Sequence, residues 1–122
     1  FERENNYMFV RARVDGKPYR LGFDTGAPNT LLVGAQGRRG DQETETVDGL
    51  GNRLKLYIGP STVQLPGLPP LNVPVMRAPI FPAITEGNRA MGQQGDGLLG
   101  LSVLGNRSFV VDARRSTLWI EK

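Results

Sequence analysis

Hydrophobic and polar positions alternate in short stretches along most of this chain, the period-two signature of strands with one buried face. Met8, Val10, Ala12 and Val14 alternate with Phe9, Arg11 and Arg13, and Asp15-Gly16 follows as a turn signal. Tyr19, Leu21 and Phe23 then alternate with Arg20 and Gly22, completing a hairpin whose second strand runs straight into Asp24-Thr25-Gly26-Ala27. Thr30 to Val33 predicts a third strand, and the glycine- and charge-rich stretch from Gly34 to Glu43 an exposed loop. Thr44 to Asp48 and Arg53 to Ile58 flank Gly49-Leu50-Gly51-Asn52, which predicts a second hairpin with a glycine-rich tip.

From Gly59 to Pro82, prolines interrupt the short apolar runs Thr62 to Leu65 and Val73 to Met76. That pattern suits edge strands and connections, because proline donates nothing to a ladder. Ala83 to Gln94 reads as a loop. Asp96-Gly97-Leu98-Leu99-Gly100 leads into Leu101 to Leu104, the one stretch where a short helix is expected, closed by Gly105-Asn106. Arg107 to Asp112 and Thr117 to Glu121 predict a last hairpin around Ala113 to Ser116. With 16 glycines and 9 prolines to supply turns, about eight short strands and a helical turn or two make an all-β domain, closed or sandwiched.

Length bounds this picture. At about 100–200 residues per domain, 122 residues predict a single domain spanning residues 1–122, with a modest core. The 21 residues from Leu56 to Met76 carry no charge, yet Pro60, Pro66, Pro69, Pro70 and Pro74 rule out a membrane-spanning helix there. A net charge of +3 from scattered arginines, with nine aromatics in no legible stacking array, gives no case for nucleic acid.

The absent residue types exclude more. Without His or Cys there is no Ser-His-Asp or Cys-His triad, imidazole metal site, disulfide or thiol redox chemistry. Catalysis in this chain runs on carboxylates, hydroxyls, Lys or backbone, and no metal or other cofactor is expected. A chain lacking Cys works in either redox compartment. The expectation is an exported or periplasmic protein, with an anchor in a missing N-terminal segment as one form of it, since the sequence starts at Phe1.

Asp24-Thr25-Gly26 is the strongest chemical feature. An Asp at the end of an apolar strand is well placed to present its carboxylate in a cleft, Thr25 can brace the loop, Gly26 admits a close backbone or substrate, and Ala27 keeps the floor small. The tripeptide by itself also fits a strand-ending Asx turn.

The order of elements resembles the retropepsin-like aspartic proteases: a hairpin, an apolar strand, Phe23-Asp24-Thr25-Gly26-Ala27, a glycine-tipped hairpin around Gly49-Leu50-Gly51, and the apolar-apolar-Gly step Leu98-Leu99-Gly100. Gly97 to Leu104, Phe109 to Asp112 and Thr117 to Ile120 look like the bacterial single-domain branch. The resemblance runs from Tyr7 to Ile120. It implies a closed β-barrel, half of a pepsin, with a flap hairpin and one short helix near the C-terminus. It also implies an aspartic endopeptidase active as a homodimer, because the chain holds one Asp-Thr-Gly where a self-contained pepsin has two.

Asp24, Thr25 and Gly26 would then be the catalytic loop. Two Asp24 carboxylates at contact distance share one proton, and one activates water while the other polarises the scissile carbonyl. Ala27, Asn29, Asp48, Gly49, Leu50 and Gly51 would bind an extended peptide or protein substrate, with Thr44 to Ile58 as the flap. Asp41, Glu43, Glu45 and Asp48 form an acidic run before the tip, which reads as a solvated face. In the viral members, acidic residues after the catalytic loop pair with an Arg beyond the apolar-apolar-Gly step. Here those places hold Pro28, Asn29 and Leu101, so dimer contacts are expected elsewhere, the terminal strand from Thr117 to Glu121 among them. Two other functions compete: an inactive retropepsin-like scaffold or dimerisation domain, and a peptide-binding module of PDZ type, suggested by Arg20-Leu21-Gly22-Phe23.

Overall fold

The computed structural model describes residues 2–4, 7–24, 26–104, 109–112, 114–115 and 117–120. Strands β1 (Glu2–Glu4), β2 (Tyr7–Val14) and β3 (Lys17–Phe23) form an antiparallel meander. Asp15 and Gly16 turn β2 into β3 with φ of 50° and 83°, the paired left-handed angles of a two-residue hairpin, which is why Asp-Gly serves there. β4 (Thr30–Val33), β5 (Gln42–Val47), β6 (Arg53–Gln64), β7 (Leu71–Ala78) and β8 (Gly97–Leu99) complete the main sheet in the order β1-β2-β3-β8-β4-β7-β6-β5. Pairing of Arg13 and Val14 in β2 with Gln64 and Val63 in β6 closes the six strands from β2 to β6 into a barrel. A separate two-stranded sheet joins β9 (Phe109–Asp112) to β10 (Thr117–Ile120). The all-β class and closed barrel follow the sequence expectation.

The barrel interior is filled by Val10, Ala12, Val14, Leu21, Leu32, Val63, Val75 and Leu99, contributed by strands on all sides. A second, smaller cluster gathers Leu31, Leu56 and Ala78, with Phe81, Ile84 and Leu98 packed against it. The long strand β6 serves both clusters. Its buried positions fall at Leu54 and Leu56 and then shift phase to Gly59, Ser61 and Val63, so its inward face changes midway.

Three sequence expectations are corrected. The Pro-rich middle makes no edge strands at Thr62–Leu65 and Val73–Met76: β6 is twelve residues long, and β7 lies inside the sheet, between β4 and β6. Pro60 and Pro74 face one another across that ladder, each where its missing N–H leaves no bond unmade, since the β4 pairing starts only at Val75 and the β5 pairing stops at Ile58. The stretch read as a loop, Ala83 to Gln94, holds a helix, α1 (Pro82–Met91), ended by Gly92 in the left-handed region. Leu101 to Leu104, expected as the short helix, makes a single 3₁₀ turn at Leu101–Val103. The expected closing pair Gly105-Asn106 lies outside the described residues, as do Arg107, Ser108, Ala113, Ser116 and Glu121.

A charged cluster braces the loop before β5. Arg38 donates to Asp15 at 3.0 Å, to Asp41 at 3.3 Å and to the Pro60 carbonyl at 2.7 Å. Buried Arg77 reaches Asp15 at 3.1 Å and Ser61 Oγ at 3.0 Å. Burial pushes both carboxyls up, but the hydrogen bonds of Thr62 and Ser61 on Asp15 and of Arg38 on Asp41, with the charges of Arg38 and Arg77, hold both below the ordinary carboxylate range.

Candidate active site

The three residues of β8 organise the site. β8 runs parallel to β3, with Phe23 beside Leu99, and antiparallel to β4, with Leu31 beside Leu98. The step into β8 is clamped by Asp96, whose N–H donates to the Arg20 carbonyl at 2.7 Å while its carboxylate accepts from the Arg20 N–H at 2.8 Å. Arg20 also stacks over Phe9, with Cζ 3.8 Å from the ring centroid, and donates from its guanidinium to the Gln94 carbonyl. Gly97 has φ +148°, and a Cβ there would overlap the Leu31 carbonyl oxygen and stand 2.9 Å from its carbon, so only glycine brings β4 this close.

Asp24 begins where β3 stops. Its N–H donates to the Leu99 carbonyl at 3.1 Å, its carbonyl accepts from Ala27 at 3.2 Å, and its Oδ1 accepts from the Gly26 N–H at 2.8 Å. The carboxylate is thus held by the backbone of its own turn. Leu98-Leu99-Gly100 sits behind this turn. Leu101 N–H donates to the Ala27 carbonyl and Ser102 N–H to the Pro28 carbonyl, both at 2.9 Å. Gly100 passes so close to Asn29 that a Cβ would overlap its carbonyl group. Thr30, fully buried, accepts the Gly100 N–H on Oγ1 at 3.2 Å. Thr30 and Asp96 were not singled out from sequence, since both act through backbone groups that are distant along the chain. Thr25, expected as a catalytic-loop residue, lies outside the described residues.

A pocket of about 270 Å³ opens beside Asp24, walled on its far side by α1. The flap tip reaches this helix. Asp48 accepts from Leu50 N–H at 3.0 Å, Asn52 N–H at 2.9 Å and, on Oδ2, the Ala83 N–H at 3.1 Å. Phe81 gives α1 no side-chain cap of its own, so Asp48 satisfies an orphan donor of the helix from 35 positions away. Burial pushes the Asp48 carboxyl up, but the Asn52, Ala83 and Leu50 hydrogen bonds hold it below the ordinary range. Of the acidic run expected as a solvated face, Glu43 and Glu45 are exposed, whereas Asp41 and Asp48 are enclosed by these partners. Gly49, Leu50 and Gly51 stand exposed at the tip; Ala27 and Asn29 line the loop beneath Asp24 and pack on the Gly100 segment. Of the residues expected from sequence to form the site, Asp24 lines this pocket, whereas Gly26, Ala27, Asn29, Asp48, Gly49, Leu50 and Gly51 do not.

The PDZ reading is overturned by the same geometry. Leu21, Gly22 and Phe23 are paired with β2 on one side and β8 on the other, apart from the single Phe23 register on the β2 side, so they form no open carboxylate-binding loop.

A closed six-stranded barrel in which an Asp-bearing turn follows a strand and rests on an apolar-apolar-Gly segment is a retropepsin-like fold. The solved EIAV protease complexed with the inhibitor HBY-793 superposes on it with a TM-score of 0.57, covering 85% of this chain and 90% of its own, at 16% identity. No family model matches the chain, and neither does any curated protein. Among the described residues, no helix is long and apolar enough to cross a membrane.

Proposed function

We propose that the chain is an aspartic endopeptidase that acts as a homodimer, hydrolysing peptide bonds with a water held between two Asp24 carboxylates. The observation that carries this reading is the Asp24 turn, held by Gly26 and Leu99 and opening onto a pocket within a retropepsin-like barrel. One carboxylate takes a proton from the water as it attacks the scissile carbonyl, and the protonated partner donates to the carbonyl oxygen. The roles exchange as the amine leaves. No covalent intermediate forms, which suits a chain without His or Cys.

The second copy is supported by two features. The chain contributes one Asp-Thr-Gly, and the β9–β10 hairpin exposes Val110, Val111 and Trp119, an apolar surface of the kind that an interface between copies would cover. Residues 1–122 then act as one domain, and Gly49, Leu50 and Gly51 close over an extended peptide while Asp48 shapes the tip that carries them.

The test is cleavage of a proteome-derived peptide library between about pH 4 and 7 by the native chain and by Asp24→Asn, with dimerisation followed by sedimentation. Cleavage by the native dimer, lost in Asp24→Asn, is the expected result. Silence from a native dimer would favour the inactive scaffold, and activity persisting in Asp24→Asn would place the chemistry elsewhere.

A further inference from the structure

We propose that the pocket between Asp24 and α1 selects a substrate side chain with an apolar stem and a neutral hydrogen-bond donor at its end, and that Gln93 reads the donor. The inference rests on the protease reading and specifies its substrate. A volume of about 270 Å³, just below the range of whole-ligand pockets, suits one side chain. Asp24 lines the same pocket, so its occupant belongs to a residue next to the scissile bond.

The pocket has apolar walls from Phe9, Ile84, Met91 and Leu98. Its polar end is Gln93, which is 8% exposed. A relay of amides fixes which way Gln93 points. Asn88 Nδ2 donates to the Gly95 carbonyl at 3.2 Å, which leaves Asn88 Oδ1 to accept from Gln93 Nε2 at 3.4 Å. Gln93 Oε1 is therefore the free end of the relay, and among the described residues this buried acceptor has no donor. An unpaired buried carbonyl is costly, and a donor brought in by the substrate removes that cost only when it is present. Asp24 is the one charged residue lining the pocket, and the proposed mechanism holds it for the water, so no second carboxylate is left to pair a Lys or Arg. Glutamine and tyrosine combine the required stem and neutral donor.

The experiment measures binding of extended peptides to Asp24→Asn protein, which reads recognition without turnover, using matched pairs that differ only by Tyr for Phe or Gln for Met at each position. At one position Tyr is expected to bind about tenfold tighter than Phe, and Gln than Met. Gln93→Met removes that discrimination. Gly87→Leu is the second variant: Gly87 lines the pocket, a Cβ there meets nothing within 4 Å, and the change suits a helix, so both members of each pair bind more weakly to an intact fold. Equal binding within pairs, discrimination that survives Gln93→Met, or no peptide binding at all overturns the inference. Discrimination without cleavage by the native chain would retire the protease reading and leave the pocket standing. Cleavage abolished by Asp24→Asn without pair discrimination would do the reverse.

Discussion

Replacing Gly97 by Ala tests how β8 holds the Asp24 turn. The added methyl would overlap the Leu31 carbonyl oxygen and approach Leu32 Cα to 3.2 Å, and neither can retreat, because β4 is paired with β7 on its other side. Overpacking of this kind costs about 1–3 kcal/mol. Holding alanine at φ +148° costs about another 1–3 kcal/mol, since that region is essentially reserved for glycine. The sum, about 2–6 kcal/mol, is a large part of the roughly 5–15 kcal/mol that stabilises a domain. At roughly 3–5 °C per kcal/mol for a chain of this size, the thermal midpoint falls by about 6–30 °C. Gly87→Ala is the matched control: its Cβ meets open space on α1, so it raises stability by about 0.5–1 kcal/mol. Circular dichroism melts of the two variants decide the matter. A Gly97→Ala midpoint within a few degrees of the native chain, or a Gly87→Ala loss as large as that of Gly97→Ala, would refute the claim that close approach at β8 demands glycine.

Three further outcomes are expected. Thr30→Val leaves the Gly100 N–H buried without its acceptor and lowers stability by about 1–3 kcal/mol in urea titrations, whereas Thr30→Ser, which keeps the oxygen, loses less. Asp48→Ala frees the Ala83 and Leu50 amides, so hydrogen exchange at both accelerates while amides in β2 and β3 keep their protection; unchanged exchange at Ala83 would disprove the link between flap tip and helix. Asp15 and Asp41 titrate lower in the folded chain than their ordinary 3.8, so their contribution is complete above that value and is lost as pH falls through the lowered folded values. Arg38→Met, which removes the cation ion-paired to both, should flatten the fall in urea midpoint between about pH 4 and 2, and an unaltered slope would exclude Arg38 as the cause.

The sequence by itself determined the strand periodicity, the β2–β3 and flap hairpins, and the candidate Asp24, because these depend on neighbours a few residues apart. Alternation marks a buried face, and Asp15-Gly16 supplies two left-handed angles in succession. Tertiary structure decided the rest. Helix α1 has no N-terminal side-chain cap of its own, a glycine in its interior and no buried residue; its missing partner is Asp48 on the flap, and its packing surface is formed by Leu31, Leu56 and Ala78 on the strands. β7 became an interior strand because Pro74 falls where neither ladder asks for an N–H, a matter of register between strands. The donorless oxygen of Gln93 depends on Asn88 and Gly95 being otherwise engaged. Composition and local pattern can nominate a carboxylate, but only long-range pairing fixes what lies beside it, because those contacts join residues that the chain itself keeps tens of positions apart.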